Sequence, residues 1–341
     1  MGKRIAVLGA GSWGTVLANL LVENGHDVRL WTHDPAQLPE INDQHTNEHY
    51  LPGFHLHEAL HASTDLEASL KDVDAILFVV PTNAIRSVAT QVLPLLAERS
   101  VKPIIIHAAK GLEKGSKKRI SEVLTEVLPD DLIRGIVVIS GPSHAEDVAA
   151  GDITTLTAAS VSVECAKAVQ AIFMNQYFRL YTNTDVIGVE LGAALKNVIA
   201  IGAGALHGLG YGDNTKAALM TRGLAEITRL GVVFGAEPLT FIGLSGVGDL
   251  IVTCTSVHSR NWRAGDQLGQ GAKIDDVLAN MGMVVEGYST AKVAHELASE
   301  VGVEMPISEA IYQVLYQDAP IKEVIADLMG REGKPEFDFQ G

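Results

Sequence analysis

The chain has 341 residues, of which 47% are hydrophobic and 20% charged, and a formal net charge of −15. That length suits two domains, and the composition suits a globular chain with a sizeable core. The acidic balance argues against nucleic acid or an anionic membrane as partner, while leaving room for a small phosphorylated ligand held by a few focused cations.

The two cysteines, Cys165 and Cys254, lie far apart with no ligand-like neighbours, which fits a reducing cytoplasm better than a disulfide framework. The opening "MGKRIAVLGAGSWGTVLANLL" runs from basic to apolar like a secretion signal, but its glycines are patterned and no small-residue cleavage site follows. No stretch reaches the roughly 18 continuous apolar residues of a membrane span. The expectation is a cytoplasmic protein with no stable membrane insertion.

In chain order, "KRIAVLG" reads as a buried strand and "TVLANLLVENG" as the helix after it. The strands "DVRLW", "DAILFVV", "PIIIHAAKG" and "GIVVISGPS" follow, then "ITTLTAAS" and "FRLYTN". Continuous Val/Ile/Leu runs separated by helices predict an α/β domain with a mostly parallel, doubly wound sheet covered on both faces. We place it over residues 1–184. From Asp185 the pattern turns helical, with breaks such as "GAEPLTF" and "EMPIS". Residues 185–330 are expected to form an all-α substrate domain. The polar, Gly/Pro-bearing tail, residues 331–341, is expected to be poorly ordered.

Between the first strand and its helix stands Gly9-Ala10-Gly11-Ser12-Trp13-Gly14, a GxGxxG pattern in the context a dinucleotide site demands. Gly9 permits the tight turn, Gly11 lets backbone approach a pyrophosphate, and Gly14 lets helix and strand pack closely. The second strand ends "RLWTHD", with Trp31, Thr32 and His33 where NAD sites usually carry an acid, and Asp34 one step later. A neutral or basic His33 better tolerates a 2′-phosphate, so NADP is expected over NAD. The plain alternative for His33 is a surface histidine.

Lys110, past the fourth strand, is placed to touch a substrate oxygen or phosphate; otherwise it is a solvated loop lysine. Gly141, Ser143 and Ala145 of "SGPSHAEDV" would line the same crevice, with Ser143 a candidate helix N-cap. Ser259, Arg260 and Asn261 place a guanidinium beside hydroxyl and amide donors, a phosphate clamp or else a capped helix start. Asp249 lies in an apolar run and needs a partner. Lys196, alone in "LGAALKNVIAIGAGALHGLGYG", is the obvious one, unless it snorkels to solvent. His57 and His61 have i, i+4 spacing near His49 and His55, but a Pro/Gly break and the lack of a third ligand weigh against a metal.

The blocks GAGSWGT, NEHYLPG, HAAKGLE, SGPSHAEDV, ELGAALKNVIAIGAGALHGLGYGDNTKAAL, LSGVGDL, TCTSVHSRN and VVEGYST, in this order, resemble those of bacterial-type NAD(P)-dependent glycerol-3-phosphate dehydrogenases. The resemblance covers nearly the whole chain. It implies a Rossmann-like domain followed by a helical domain of the 6-phosphogluconate-dehydrogenase kind. It also implies reversible conversion of dihydroxyacetone phosphate to sn-glycerol 3-phosphate for glycerophospholipid synthesis, in a homodimer. By the same resemblance Lys196 is the general acid–base. Lys110, Gly141, Ser143, Asp249, Ser259, Arg260 and Asn261 meet the substrate. Ser12, Trp13, His33, Tyr50, Lys110, Ala145, Arg260, Val284 and Glu286 meet the cofactor, and no metal is used. His33 departs from the arginine many relatives carry. The rival readings are a 6-phosphogluconate or β-hydroxyacid dehydrogenase and a non-catalytic nucleotide-sensing module.

Overall fold

The structure is a computed structural model, and it describes residues 2–97 and 101–336. Eight strands form one sheet: β1 Arg4–Leu8, β2 Asp27–Trp31, β3 His61–Ser63, β4 Ala75–Phe78, β5 Ile104–His107, β6 Gly135–Ser140, β7 Thr154–Ala159 and β8 Phe178–Asn183. Their order is β3-β2-β1-β4-β5-β6-β7-β8. All pairings are parallel except β6 with β7, which is antiparallel. The three-residue β3 has no counterpart among the expected strands. "HAS" is too short and too polar to carry a periodic signal.

The first six helices are α1 Ser12–Glu23, α2 Leu66–Leu70, α3 Ile85–Ala97, α4 Ile120–Val127, α5 Ala145–Ala149 and α6 Val163–Phe173. Because strand side chains alternate, Ile5 and Val7 point to one face and Ala6 and Leu8 to the other. The first face packs on α1, α5 and α6 residues such as Leu17, Val148 and Val169. The second packs on α2, α3 and α4 through Leu70, Val88 and Val123. Both faces are therefore dry, which is why these strands read as unbroken apolar runs.

Beyond β8 the described chain is helical: α7 Val186–Gly208, α8 Asp213–Val233, α9 Pro238–Phe241, α10 Asp249–Thr255, α11 Arg260–Gly269, α12 Ile274–Asn280, α13 Glu286–Val301, α14 Pro306–Tyr316 and α15 Ile321–Met329. A π-helical turn, Leu244–Gly248, leads into α10. Helix α7 is buried from Gly188 to Leu206 because α8, α10, α11 and α13 surround it. By length and composition alone it would suit a membrane span, with a mean hydropathy of 1.6, and so would Pro238–Thr255 at 1.4. A helix apolar on every side is also what the centre of a bundle requires, and that is the place α7 occupies. Residues 331–336 are exposed. Within them Arg331 and Lys334 pair with Glu304. The rest of the expected tail lies outside the described residues.

Candidate active site

The strand order reverses between β1 and β4, so their connections leave in opposite directions and open a crevice at the strands' C-terminal edge. The glycine turn stands there. Gly9 has φ +115°, and a Cβ on it would lie 2.9 Å from the Val79 carbonyl oxygen. A Cβ on Gly14 would lie within collision distance of the Gly9 carbonyl, so helix and turn pack as the motif requires. Gly11 differs: a Cβ there would meet nothing within 4 Å. Gly11 is also the N-cap of α1 and carries no side-chain cap, which leaves the first N–H groups of the helix facing open space. Space above a helix N-terminus is what a pyrophosphate needs, so these residues fit a dinucleotide.

The residues around the turn are braced from below. Asn47 Nδ2 donates to the Ala10 carbonyl at 3.1 Å and to Thr15 Oγ1 at 2.8 Å, and Gln37 Nε2 donates to the same carbonyl at 3.0 Å. Ser12 Oγ donates to the Tyr50 carbonyl at 2.6 Å, and Trp13 packs half-buried on the sheet core. Past β2, His33 is exposed, while Asp34 accepts the Ala36 N–H at 2.9 Å and so caps its own turn. Sequence reading missed Asn47 and Gln37. Both are ordinary amides, marked only by where the chain folds back.

The charged centre lies further along the crevice. Lys196, on α7 and 3% exposed, holds Asp249 Oδ1 at 2.5 Å and Thr253 Oγ1 at 2.6 Å. Lys110, three residues past β5, donates to Asp249 Oδ2 at 3.1 Å, the Gly141 carbonyl at 3.0 Å and Ser143 Oγ at 3.3 Å. Two ammonium groups thus share one buried carboxylate, leaving a net positive charge. Burial pushes Lys196 down to about 8, with Lys110 pushing the same way and Asp249 opposing both. Burial would raise Asp249, but Lys110 and Lys196 hold its carboxyl below the ordinary carboxylate range. The neighbouring Cys254 thiol is pushed up to about 12 by burial and stays neutral. Thr253 was not singled out from sequence, although its place one turn after Asp249 on α10 brings both to one face.

Ser143 was expected as a helix N-cap; that position falls to His144, whose side chain makes no cap bond. The Ser143 hydroxyl turns back to the Gly141 carbonyl at 3.0 Å and to Lys110 instead. Ala145 is buried as the first residue of α5. Ser259 caps α11, accepting the Trp262 N–H at 3.2 Å, so the cap reading and the site reading coexist there. Asn261 is tied into the interior: its Nδ2 donates to Asn197 Oδ1 at 3.0 Å and its Oδ1 accepts the Gly287 N–H at 2.8 Å. One N–H of its amide remains. Asn197 Nδ2 in turn donates to the Lys110 carbonyl at 2.9 Å.

Arg260, the first residue of α11, is exposed and forms no hydrogen bond or ion pair with another described residue; the carboxylates that act on it are Glu286 and Glu146. Glu286 opens α13 and accepts from the Thr82 N–H at 3.3 Å and its hydroxyl at 3.1 Å. Burial raises the Glu286 carboxyl, against the pull of Thr82 and Arg260. Val284 is exposed two residues earlier. Among the described residues no cluster of three or more His, Cys, Asp or Glu is arranged to hold a metal ion. His57 Nδ1 accepts the Ala59 N–H, and His61 lies on β3.

A dinucleotide-type turn, a buried lysine on a shared carboxylate and an unengaged arginine thus meet in one crevice. The chain matches the description "NAD-dependent glycerol-3-phosphate dehydrogenase N-terminus" over residues 4–166 and the corresponding C-terminus over residues 185–326. It belongs to the NAD-dependent glycerol-3-phosphate dehydrogenase family. Membership makes it an NAD(P)-dependent oxidoreductase. A glycerol-3-phosphate dehydrogenase (NAD(P)+) of Lacticaseibacillus casei is 73% identical over 99% of this chain and 98% of its own. That of Enterococcus faecalis is 64% identical over 99% of both chains. The crystal structure of the glycerol-3-phosphate dehydrogenase from Coxiella burnetii superposes with a TM-score of 0.91 at 40% identity, covering 97% of this chain and 99% of that one.

Proposed function

We propose that the chain interconverts dihydroxyacetone phosphate and sn-glycerol 3-phosphate, with Lys196 as the group that exchanges the proton. The observation that carries this reading is the buried Lys196, 2.5 Å from Asp249, in the crevice that begins at the glycine turn. A nicotinamide dinucleotide held by Gly9, Gly11 and Gly14 would supply the hydride for the ketone carbon and, in the reverse direction, accept it. As an ammonium, Lys196 donates to the ketone oxygen, stabilises the charge that develops there and gives up its proton. As an amine it takes the proton back from the alcohol. Asp249 and Thr253 fix its Nζ, so little reorganisation is needed during reaction. Lys110 adds a second cation facing the same oxygen and, through Ser143 and Gly141, holds the loop after β6 in place.

Arg260 is the phosphate anchor in this reading, because its fork is not engaged elsewhere. Ser259 and the remaining Asn261 N–H add donors beside it. Ser12, Trp13, Tyr50, Ala145, Val284 and Glu286 line the cofactor path. His33, exposed where the ribose would lie, favours NADP, since Asp34 is committed to its own turn. We assign cofactor binding to residues 1–184 and substrate binding to residues 185–330, with β8 ending at Asn183 and α7 starting at Val186. The protein works in the cytoplasm as a homodimer and feeds glycerophospholipid synthesis.

Lys196→Ala tests the assignment. Turnover should fall by roughly 10²–10⁴, the usual worth of a positioned acid–base group, with the Kd for NADPH unchanged by titration. Near-normal turnover in that variant removes Lys196 from the chemistry.

A further inference from the structure

A buried charged cluster stands outside the crevice and takes part in none of the steps above. Glu190, in the second turn of α7, is 3% exposed. Its Oε1 accepts the Ser121 N–H at 2.7 Å and lies 3.2 Å from His107 Nε2. Its Oε2 accepts Arg119 Nη1 at 2.9 Å and the Ser121 hydroxyl. Burial would raise the Glu190 carboxyl, but His107, Ser121 and Arg119 hold it below the ordinary range, so an anion sits in the interior. Such an ion is costly to bury and contributes little net stability against an apolar replacement.

Its position gives the cluster a different value. Glu190 and Asn197 are seven residues apart, two turns of α7, and so share one face. Their partners are His107, which ends β5, and the Lys110 carbonyl three residues later. The segment from His107 to Lys110 is therefore bonded to α7 at Asn197 and lies against it at His107, whose Nε2 faces Glu190 Oε1 without a hydrogen bond. That segment carries Lys110, and α7 carries Lys196, the two cations that meet across Asp249. Arg119 and Ser121, at the start of α4, anchor Glu190 to the sheet layer from the other side.

We propose that Glu190 is a positioning residue that sets the register of α7 against the segment past β5, and so the separation of Lys196 and Lys110 across Asp249. The proposal rests on reading Lys196 as the proton-transfer group. Glu190→Gln turns one acceptor oxygen into an N–H2 group facing the Ser121 and Arg119 donors, so the seat of α7 beside His107 slackens while the Asn197 bond stays. A misplacement of this kind shows in turnover more than in ground-state binding.

The test compares kcat, KM and the pH profile of wild type and Glu190→Gln, with Tm followed in parallel. The kcat should fall about tenfold or more, with each KM within about twofold. The inflection assigned to Lys196 should move to higher pH, because retreat of Lys110 and entry of water both favour the ammonium. A lowered Tm with unchanged kcat and unchanged inflection overturns the proposal, since a merely structural group would behave that way. If Glu190→Gln does not fold, Arg119→Gln, at the half-buried end of the cluster, takes its place: a lower kcat with a shifted inflection supports the positioning role, and an unchanged pair overturns it. Lys196→Ala separates the positioning role from the chemistry it serves. An inactive Lys196→Ala with a normal Glu190→Gln overturns the positioning role alone, and an active Lys196→Ala overturns the proton-transfer reading beneath it.

Discussion

In the proposed mechanism Lys196 both gives and takes a proton, which needs an affinity near the working pH, and burial moves it there. Its value of about 8 carries a signed consequence. Ketone reduction needs the ammonium, so its rate should fall as pH rises through about 8. Oxidation of the alcohol needs the amine, so its rate should rise through the same point. Steady-state kcat in both directions from about pH 6 to about pH 10 checks this; profiles that bend the same way in both directions would count against a shared Lys196. Lys196 and Asp249 were legible in the sequence because a charge inside an apolar run demands a partner. Asn197 and Thr253 were not legible. An amide and a hydroxyl are unremarkable at most positions, and they matter here because folding aims them at Lys110 and Lys196. Asn261 shows the same limit from the other side, since nothing in "HSRNW" reveals that its amide is largely committed to Asn197 and Gly287.

At the scale of elements, the small residues that follow Lys196 find their reason in the crossing of α7 and α11. A Cβ on Gly204 would collide with the Trp262 carbonyl, and one on Gly265 with the Ile201 carbonyl. Two helix backbones approach so closely here that only hydrogen fits between them. This closeness places Arg260 and Asn261, at the start of α11, over the face of α7 that carries Lys196 and Asn197. Gly265→Ala should therefore destabilise the fold by about 3 kcal/mol or more, since backbone cannot yield as a flexible side chain would. Urea unfolding measures the loss, and a change under about 1 kcal/mol would mean the crossing is looser than described. The inner strands were readable because they are buried on both faces, β8 because its apolar residues alternate with exposed ones, and the helical half because breaks such as "GAEPLTF" and "EMPIS" punctuate it. The antiparallel β7 was not readable, because a run of Thr and Ala has the same pattern in either direction.

For the molecule as a whole, cofactor binding and folding are linked, because a dinucleotide that binds only the folded chain adds to its stability. Gly11→Ala exploits this. Gly11 has φ −76° and open space beyond it, so alanine should leave the Tm of the free protein within a few degrees. The added methyl occupies the room a pyrophosphate needs. At a concentration 100-fold above the wild-type Kd, NADPH should stabilise wild type by about 2.7 kcal/mol, and the variant by far less. Equal stabilisation of the two would place the phosphates elsewhere. The two-part plan, the glycine turn, the lone lysine and the arginine of "HSRNW" as a candidate phosphate anchor were all legible in the sequence itself. Each depends on local spacing or on a charge among apolar neighbours, and such signals survive in a linear string. The tertiary structure alone decided how closely Lys196 and Asp249 meet, that Lys110 shares that carboxylate, and that Glu190 ties α7 to the start of α4. These contacts join residues 53 to 139 positions apart, and no periodicity encodes a distance that only the packing of the helical layer on the sheet creates.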